Sequence, residues 1–225
     1  MAIIKRNILG TFQGSLSDII LRVRNGKLVA YTKPSKQKVS KSKSALSARY
    51  KFSLAVALAK EINNDKTLSK IWAEAKIKAT NSYQKLIKVN SSLTEPVSLS
   101  IRNKITPDSI PLTDVQIKLN NNFLELTVSL EKLNKELLNS NKLFCLVHFW
   151  NPNDDNKKTL SKPDFVMKLF NFDLSELDKN SILNFLIDVE DLIKLEFGNG
   201  LALVALTGVK NSKLFWSSTF GKKFI

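Results

Sequence analysis

The side chains that most often perform catalysis or bind metals are scarce in this sequence. His148 is the single histidine and Cys145 the single cysteine of the 225 residues, and both lie in the apolar run at 143–150. A zinc site or a Ser-His-Asp arrangement would have to be built around His148 without a second histidine or a cysteine cluster. We expect Cys145 to be an inert core residue, and His148 to lie in a strand at the surface or at the edge of the core.

Two further segments could contact a small ligand, but neither has the spacing that such chemistry needs. The acidic segment at 153–156 lacks the distal glutamate of a calcium loop. Gly10 and Gly14 are not followed by the Lys-Ser or Lys-Thr pair of a phosphate-binding loop. The sequence therefore predicts a protein that is not an enzyme and that has no metal site and no cofactor.

The cations are concentrated in the first half of the chain. The net charge is +15, and residues 1–95 hold 19 of the 35 basic side chains and 5 of the 20 acidic ones. A positive field of this size attracts nucleic acid, anionic lipid headgroups or an acidic protein surface. A solvated linker would show the same composition as the basic segment. The residues that we expect to bind a partner or nucleic acid are Lys33, Lys36, Lys38, Lys41, Lys43, Arg49 and Lys51.

A short β-hairpin precedes this basic segment and forms an N-terminal arm with it. Strands are predicted at 18–23 and 27–32, joined by Asn25 and Gly26, because Asn-Gly between apolar-rich runs favours a type I′ turn. Two strands of this length are marginal alone in water, so we expect the arm to dock onto another surface. The residues that lead into the hairpin are Gly10, Phe12 and Gly14.

Helical periodicity follows the arm, and strand periodicity follows the helices. The spacing of apolar residues predicts helices at 45–62 and 67–89. The segment 53–59 is apolar nearly all round and needs neighbours on more than one side. Turn signals then separate short runs that predict antiparallel strands at 97–101, 115–119, 123–130, 142–150, 164–173, 182–189, 201–209 and 213–219.

The predicted fold class is α+β, with an N-terminal β-hairpin arm and a helical hairpin followed by an antiparallel immunoglobulin-like β-sandwich. We place the domain boundary where the charge and the periodicity change, which gives a basic part at 1–95 and the sandwich at 96–225. The sandwich is expected to fold without the N-terminal part, because its alternating apolar positions can form a closed double layer.

The order of these features resembles an uncharacterised family that is common in Bacteroidota. The matching residues are Gly10, Phe12 and Gly14, then Asn25-Gly26-Lys27, Lys33-Pro34, Arg49 with Phe52, and the C-terminal run Leu214-Phe215-Trp216-Ser217-Ser218. One departure is the Ala45-Leu46-Ser47 segment, where the family often has a glutamine. The resemblance implies an immunoglobulin-like C-terminal part and a bacterial or phage setting, and it implies no activity.

Taken together, these features favour a non-enzymatic structural or assembly protein that docks through its basic N-terminal arm to neighbouring subunits or to a large complex. A nucleic-acid-associated protein, which would bind the DNA or RNA backbone, is the alternative. We see no signal peptide, and no apolar run approaches the length of a membrane span. The expected location is the cytoplasm or a macromolecular assembly.

Overall fold

A computed structural model describes residues 2–3, 14–16, 18–24, 27–32, 39–129, 135–151, 162, 164–174, 182–193 and 197–224. The protein is of the mixed α+β class and divides into two compact units, Met1–Lys41 and Ser42–Ile225. The division therefore lies at residues 41 and 42 and not at the predicted boundary between 95 and 96. The reason is that the helices share a core with the C-terminal strands, as described below.

The N-terminal unit contains one antiparallel sheet. Its strands are β1 (Ala2–Ile3), β2 (Gly14–Leu16), β3 (Ile19–Arg24) and β4 (Lys27–Thr32). The strand order is β1-β4-β3-β2. Arg24 pairs with Lys27, so two residues connect β3 to β4, as a two-residue turn requires. The strands of the predicted hairpin are confirmed, and the turn residues Asn25 and Gly26 lie outside the described residues.

Three helices open the larger unit: α1 (Lys43–Asn64), α2 (Lys66–Glu74) and α3 (Ser82–Leu93). Each begins after a side chain that accepts a backbone N–H of the first turn, and the three capping residues are Ser42, Asp65 and Asn81. The first predicted helix is confirmed, and α1 contacts α2, α3 and a strand of the C-terminal half.

The prediction of a single helix at 67–89 is wrong, because residues 75–81 interrupt it. Ala75 is extended and ends α2, and Asn81 caps a new helix through the N–H of Gln84. The Lys85 ammonium group donates to the carbonyl groups of Ala73 and Ala75, at 2.6 Å each. The Ala75 carbonyl also accepts the N–H of Ile77, so contacts beyond the helix supply hydrogen-bond partners at the end of α2.

The C-terminal half is built from strands, with short helical turns between some of them. The elements are β5 (Val115–Asn120), β6 (Phe123–Ser129), a 3-10 turn (Leu137–Asn139), β7 (Lys142–Trp150), β8 (Phe165–Asp173), β9 (Ile182–Asp188), α4 (Glu190–Ile193), β10 (Asn199–Lys210), β11 (Lys213–Trp216) and β12 (Phe220–Lys223). The strand predicted at 97–101 is wrong, because side-chain hydrogen bonds hold this segment in an irregular path. The other strands predicted beyond residue 110 are present.

The strands form two sheets, and all of their pairings are antiparallel. One sheet has the order β5-β6-β9. The other has the order β8-β7-β10, and the long strand β10 then pairs with β12 along its first half and with β11 along its second half. We call this second sheet the central sheet.

Both faces of the central sheet are buried. On one face, alternating residues of β7 such as Leu143, Cys145 and Val147 join a core that includes Leu124 and Leu126 of the other sheet. The opposite face packs against the helices, and its core members are Leu54, Leu58, Ile62, Trp72, Leu86, Phe144, Leu146, Leu201 and Leu203. Burial on both faces explains why β7 and β10 are almost continuously apolar, because every second residue of a strand points to the opposite face.

Because the helices cover the central sheet, a cut at the predicted boundary should prevent folding. We expect residues 42–225 to show a cooperative thermal transition and residues 96–225 to show none, since the shorter fragment would expose Phe144, Leu146, Leu201 and Leu203. Circular dichroism melts of both fragments, with the full chain as reference, test this. A cooperative melt of 96–225 at the temperature of the full chain would contradict it.

Candidate functional site

The β3–β4 hairpin of the N-terminal unit has one face without any charged side chain. Residues that are directly opposite in the register share a face, and the pairs on this face are Ile19 with Thr32, Leu21 with Ala30 and Val23 with Leu28. Ile19 is 44% exposed and Val23 is 38% exposed. We call these six residues the uncharged face. Among the described residues of this unit, no second layer packs against it.

The opposite face of the hairpin carries cations. Arg22 is exposed, and its guanidinium carbon lies 5.5 Å from the centre of the Tyr31 ring. A contact of this kind holds the arginine against its own sheet. Lys27 is exposed on the same face. The charged residues of β3 and β4 therefore all lie on one face, which they share with Ile20, Val29 and Tyr31, and the other face is uncharged.

The predicted basic residues fall in different parts of the structure. Lys41 and Lys43 are exposed at the beginning of α1, Arg49 is exposed on the helix, and Lys51 is half-buried there. At 100° per residue, Lys43 and Lys51 lie about 80° apart around the helix, whereas Arg49 and Lys51 lie about 160° apart. The helix therefore does not gather Lys43, Arg49 and Lys51 on one face. Of the remaining predicted residues, Gly14 lies in β2, and those outside the described residues are Lys33, Lys36, Lys38, Gly10, Phe12, Asn25 and Gly26.

A second group of cations covers the outside of the helical layer, and none of its members was in the predicted set of binding residues. None of its members forms an ion pair with a described residue. The exposed lysines of this group are Lys60, Lys66, Lys70, Lys76, Lys78 and Lys88. Their periodic spacing on predicted helices was a usable signal, because the apolar face of an amphipathic helix fixes which residues face water.

His148 is fully buried in β7. The prediction that it lies in a strand is confirmed, and the prediction of a position at the surface or at the edge of the core is wrong. Its Nε2 atom accepts the N–H of Leu99 at 3.3 Å, and its ring stacks on Trp150 with the ring centres 5.1 Å apart. Burial lowers the pKa of His148 from 6.5 to about 4. The backbone of Val166 offsets part of this effect, although it does not meet the geometry of a full hydrogen bond with Nδ1. The imidazole is therefore a neutral structural acceptor at physiological pH.

Cys145 is fully buried between the two sheets, which confirms its prediction as a core residue. Burial raises the pKa of the thiol to about 12, so it stays protonated and is a poor nucleophile. In the part of the chain that the structure describes, no three His, Cys, Asp or Glu side chains lie together as metal ligands. The acidic segment at 153–156 lies outside that part.

A buried polar network was missed by the sequence analysis. Asn90 in α3 donates from Nδ2 to the carbonyl of Lys104, and its Oδ1 accepts from the N–H of Lys104 and from Asn103 Nδ2. Asn103 Nδ2 also donates to Thr94 Oγ1, and Asn103 Oδ1 accepts the N–H of Ser100 at 2.7 Å. The sequence does contain a signal for a buried Asn90, because this residue lies four positions after Leu86 and therefore on the apolar face of its helix.

No helix among the described residues is long and apolar enough to cross a membrane. No protein-family model matches the chain, and a search of curated proteins finds no significant match. The resemblance to the Bacteroidota family therefore stays a prediction, and the candidate surfaces are described from their own geometry.

The titration of His148 should make the protein less stable in mild acid. The unfolded chain binds a proton on this imidazole near pH 6.5, and the folded chain does so only near pH 4. Stability is therefore retained above pH 6.5 and falls as the pH decreases toward 4, by on the order of 3 kcal/mol from this group. Urea unfolding between pH 4 and 7 measures the effect.

The matched variant is His148→Gln, because glutamine can accept the Leu99 N–H and does not titrate. The free energy of unfolding of the variant should depend less on pH than that of the wild type across this interval. Parallel pH profiles of the two proteins would show that burial does not disfavour the charged imidazole.

Proposed function

We propose that the protein is a non-enzymatic assembly protein whose N-terminal arm docks onto a neighbouring copy of the same chain. The observation that carries this proposal is the uncharged face of the β3–β4 hairpin. A sheet that is apolar on one face must bury that face against a second layer. In a two-fold symmetric contact the same surface of both copies meets, so the face needs to be complementary only to itself.

The distribution of charge supports a contact between two copies in spite of the net charge of +15. The cations Arg22 and Lys27 lie on the opposite face of the hairpin. Two sheets packed face to face lie about 10 Å apart. The charged groups on their outer faces are then farther apart than the Debye length of about 8 Å at physiological ionic strength. Most of the repulsion is therefore screened.

The size of the uncharged face implies a weak contact. β3 and β4 have 6 residues each. Two strands of this length cover about 20 Å by 10 Å, or on the order of 200 Å² per copy. A standard protein interface buries about 800 Å² per partner. The arm should therefore associate reversibly at high local concentration, as neighbouring copies in a large assembly provide.

The finer architecture of the larger unit is also a proposal: an immunoglobulin-like sandwich covered by helices on one side. Counted from β5, one sheet contains the first, second and fifth strands, and the other contains the third, fourth, sixth, seventh and eighth. The constant-type immunoglobulin order likewise pairs the second strand with the fifth and the third with the sixth. The difference is that β8, the fourth strand, pairs with β7. This order supports the prediction, although Cys145 is the only cysteine and the usual disulfide is impossible.

Charged residues on the uncharged face should abolish self-association. We expect the average mass of the wild type to rise above 25.3 kDa as the concentration increases. The useful range is about 10 µM to 1 mM, because small interfaces have low affinity. The double variant Ile19→Glu/Val23→Glu should remain monomeric throughout, since each new carboxylate would be buried without a partner. Sedimentation equilibrium provides the measurement.

The matched control is Ile182→Glu/Leu186→Glu in β9. These two side chains are 53% and 68% exposed, and the variant has the same change in net charge. It should associate as the wild type does. The proposal fails if the wild type stays monomeric at the highest concentration, or if both double variants change the mass equally.

Nucleic-acid binding is the second candidate, and the exposed lysines of the helical layer favour it. Lys60, Lys66, Lys70 and Lys88 lie on helices that share a core with the central sheet, and Lys76 and Lys78 lie between α2 and α3. Such a surface can neutralise backbone phosphates without reading bases, and the released counterions make the affinity depend on salt.

If the arm contacts phosphates, replacing Lys36, Lys38, Lys41 and Lys43 by Gln should weaken the salt dependence. Four lost contacts reduce the slope of log affinity against log salt by about 3 to 4 for duplex DNA. Fluorescence anisotropy with a labelled duplex measures the slope. The control replaces four exposed lysines of the C-terminal half, Lys118, Lys162, Lys210 and Lys213, by Gln. Equal slopes for the two variants would exclude a specific role of the arm.

A further inference from the structure

An open groove of about 700 Å³ lies in the larger unit, between the end of α3 and β12. Three basic residues line it, Arg102, Lys222 and Lys223, and none of them forms an ion pair with a described residue. The single acidic residue on its wall is Glu95, which accepts a hydrogen bond from the hydroxyl of Ser98. Lys223 shares the face of β12 on which Gly221 meets Ile101, whereas Lys222 points to the opposite face, because successive strand residues alternate. The cations on the groove side are therefore Arg102 and Lys223.

The wall that carries Arg102 is held rigidly. The N–H of Arg102 donates to Ser100 Oγ at 3.0 Å, and the N–H of Ser100 donates to Asn103 Oδ1 at 2.7 Å. Asn103 in turn belongs to the buried network with Asn90 and Thr94. A buried polar network is stable only when its members are satisfied, and it then fixes the backbone that it joins. Arg102 therefore lies on a loop whose backbone is held by buried hydrogen bonds.

The opposite wall is fixed through aromatic rings. The ammonium group of Lys223 lies 5.7 Å from the centre of the Trp150 ring. Trp150 stacks on His148, and His148 accepts the N–H of Leu99, which directly precedes Ser100. The two walls are therefore connected through buried contacts. This matches the design of binding sites in which supporting residues hold the contacting ones.

Gly221 lets the two walls approach each other. A Cβ atom at this position would lie 2.4 Å from the carbonyl oxygen of Ile101, so any larger residue would push the wall loop away from β12. The side chain of Ile101 is 49% exposed, and Leu93 also lines the groove. The groove thus combines basic residues with an apolar wall.

We propose that this groove binds a phosphorylated small molecule, with Arg102 and Lys223 on the phosphate and Ile101 against an apolar part of the ligand. A phosphate monoester is doubly charged at neutral pH and is attracted by these two cations, and arginine binds phosphate through two parallel hydrogen bonds. The volume lies within the range of about 300 to 1,000 Å³ for small-molecule sites and exceeds the needs of a phosphate ion alone. The site is independent of the arm and of self-association.

Isothermal titration calorimetry of the full chain with phenyl phosphate and with inorganic phosphate tests the proposal. The wild type should bind phenyl phosphate more tightly than inorganic phosphate, because only the former reaches the apolar wall. The double variant Arg102→Gln/Lys223→Gln should bind both at least tenfold more weakly. Ile101→Ser should lower the affinity for phenyl phosphate and leave that for inorganic phosphate unchanged.

The control variant Lys118→Gln/Lys210→Gln has the same change in net charge at exposed positions outside the groove, and it should bind like the wild type. Circular dichroism melts of all variants check that the fold is retained, as expected for substitutions of exposed side chains. The proposal is overturned if the wild type shows no binding at about 10 mM ligand, which corresponds to less than 3 kcal/mol of binding free energy. It is also overturned if the groove variant and the control lose affinity equally.

Discussion

Burial of both faces of the central sheet is the constraint on which the rest of the larger unit depends. β7 and β10 pair along nine residues and lie between the other sheet and the helices. Strands that are buried on both sides cannot carry charge, and polar side chains in them need internal partners. His148 is the example, because its ring accepts the Leu99 N–H and packs against the rings of Trp150 and Phe165.

The irregular segment 94–114 connects the helical layer to β5, and side chains supply many of its hydrogen bonds. The chain must pass from the helical layer to the first strand of the outer sheet, and its backbone groups along this path have no strand partners. Side chains supply the bonds instead. Thr219 Oγ1 accepts the N–H groups of Ile105 and Thr106, Thr106 donates to the Ser217 carbonyl, and the Trp72 indole donates to the Ile105 carbonyl. The buried polar residues near this segment are thus satisfied structural elements, and they also form the wall of the basic groove.

Local sequence patterns predicted strands correctly where a turn signal or an apolar run was enough to define them. The Asn25-Gly26 turn and the apolar runs of β7 and β10 were sufficient to place their strands.

The wrong predictions come from tertiary interactions. The amphipathic pattern runs through residues 75–81 without a break, and only the Asn81 cap and the Lys85 contacts with α2 show why the helix stops. The domain boundary was placed where the charge and the periodicity change, and neither signal shows that the helices cover one face of the central sheet. The groove joins Arg102 to Lys223 across more than a hundred residues, which no local pattern encodes.

The structure explains part of the uneven charge of the sequence and indicates which surfaces can bind a partner. The buried strands β7 and β10 carry charge only at their ends, at Lys142 and Lys210, whereas the neighbouring strands β8, β11 and β12 carry exposed lysines. Residues 1–41 contain 9 basic and 1 acidic side chains, whereas residues 42–225 contain 26 and 19. Acidic side chains thus balance most of the positive charge of the larger unit, and the groove is a local concentration of cations on it. The N-terminal unit has no such balance, and one face of its hairpin has no charge at all. A surface that separates charge from apolar residues in this way is suited to a contact that is apolar at its centre and basic at its rim.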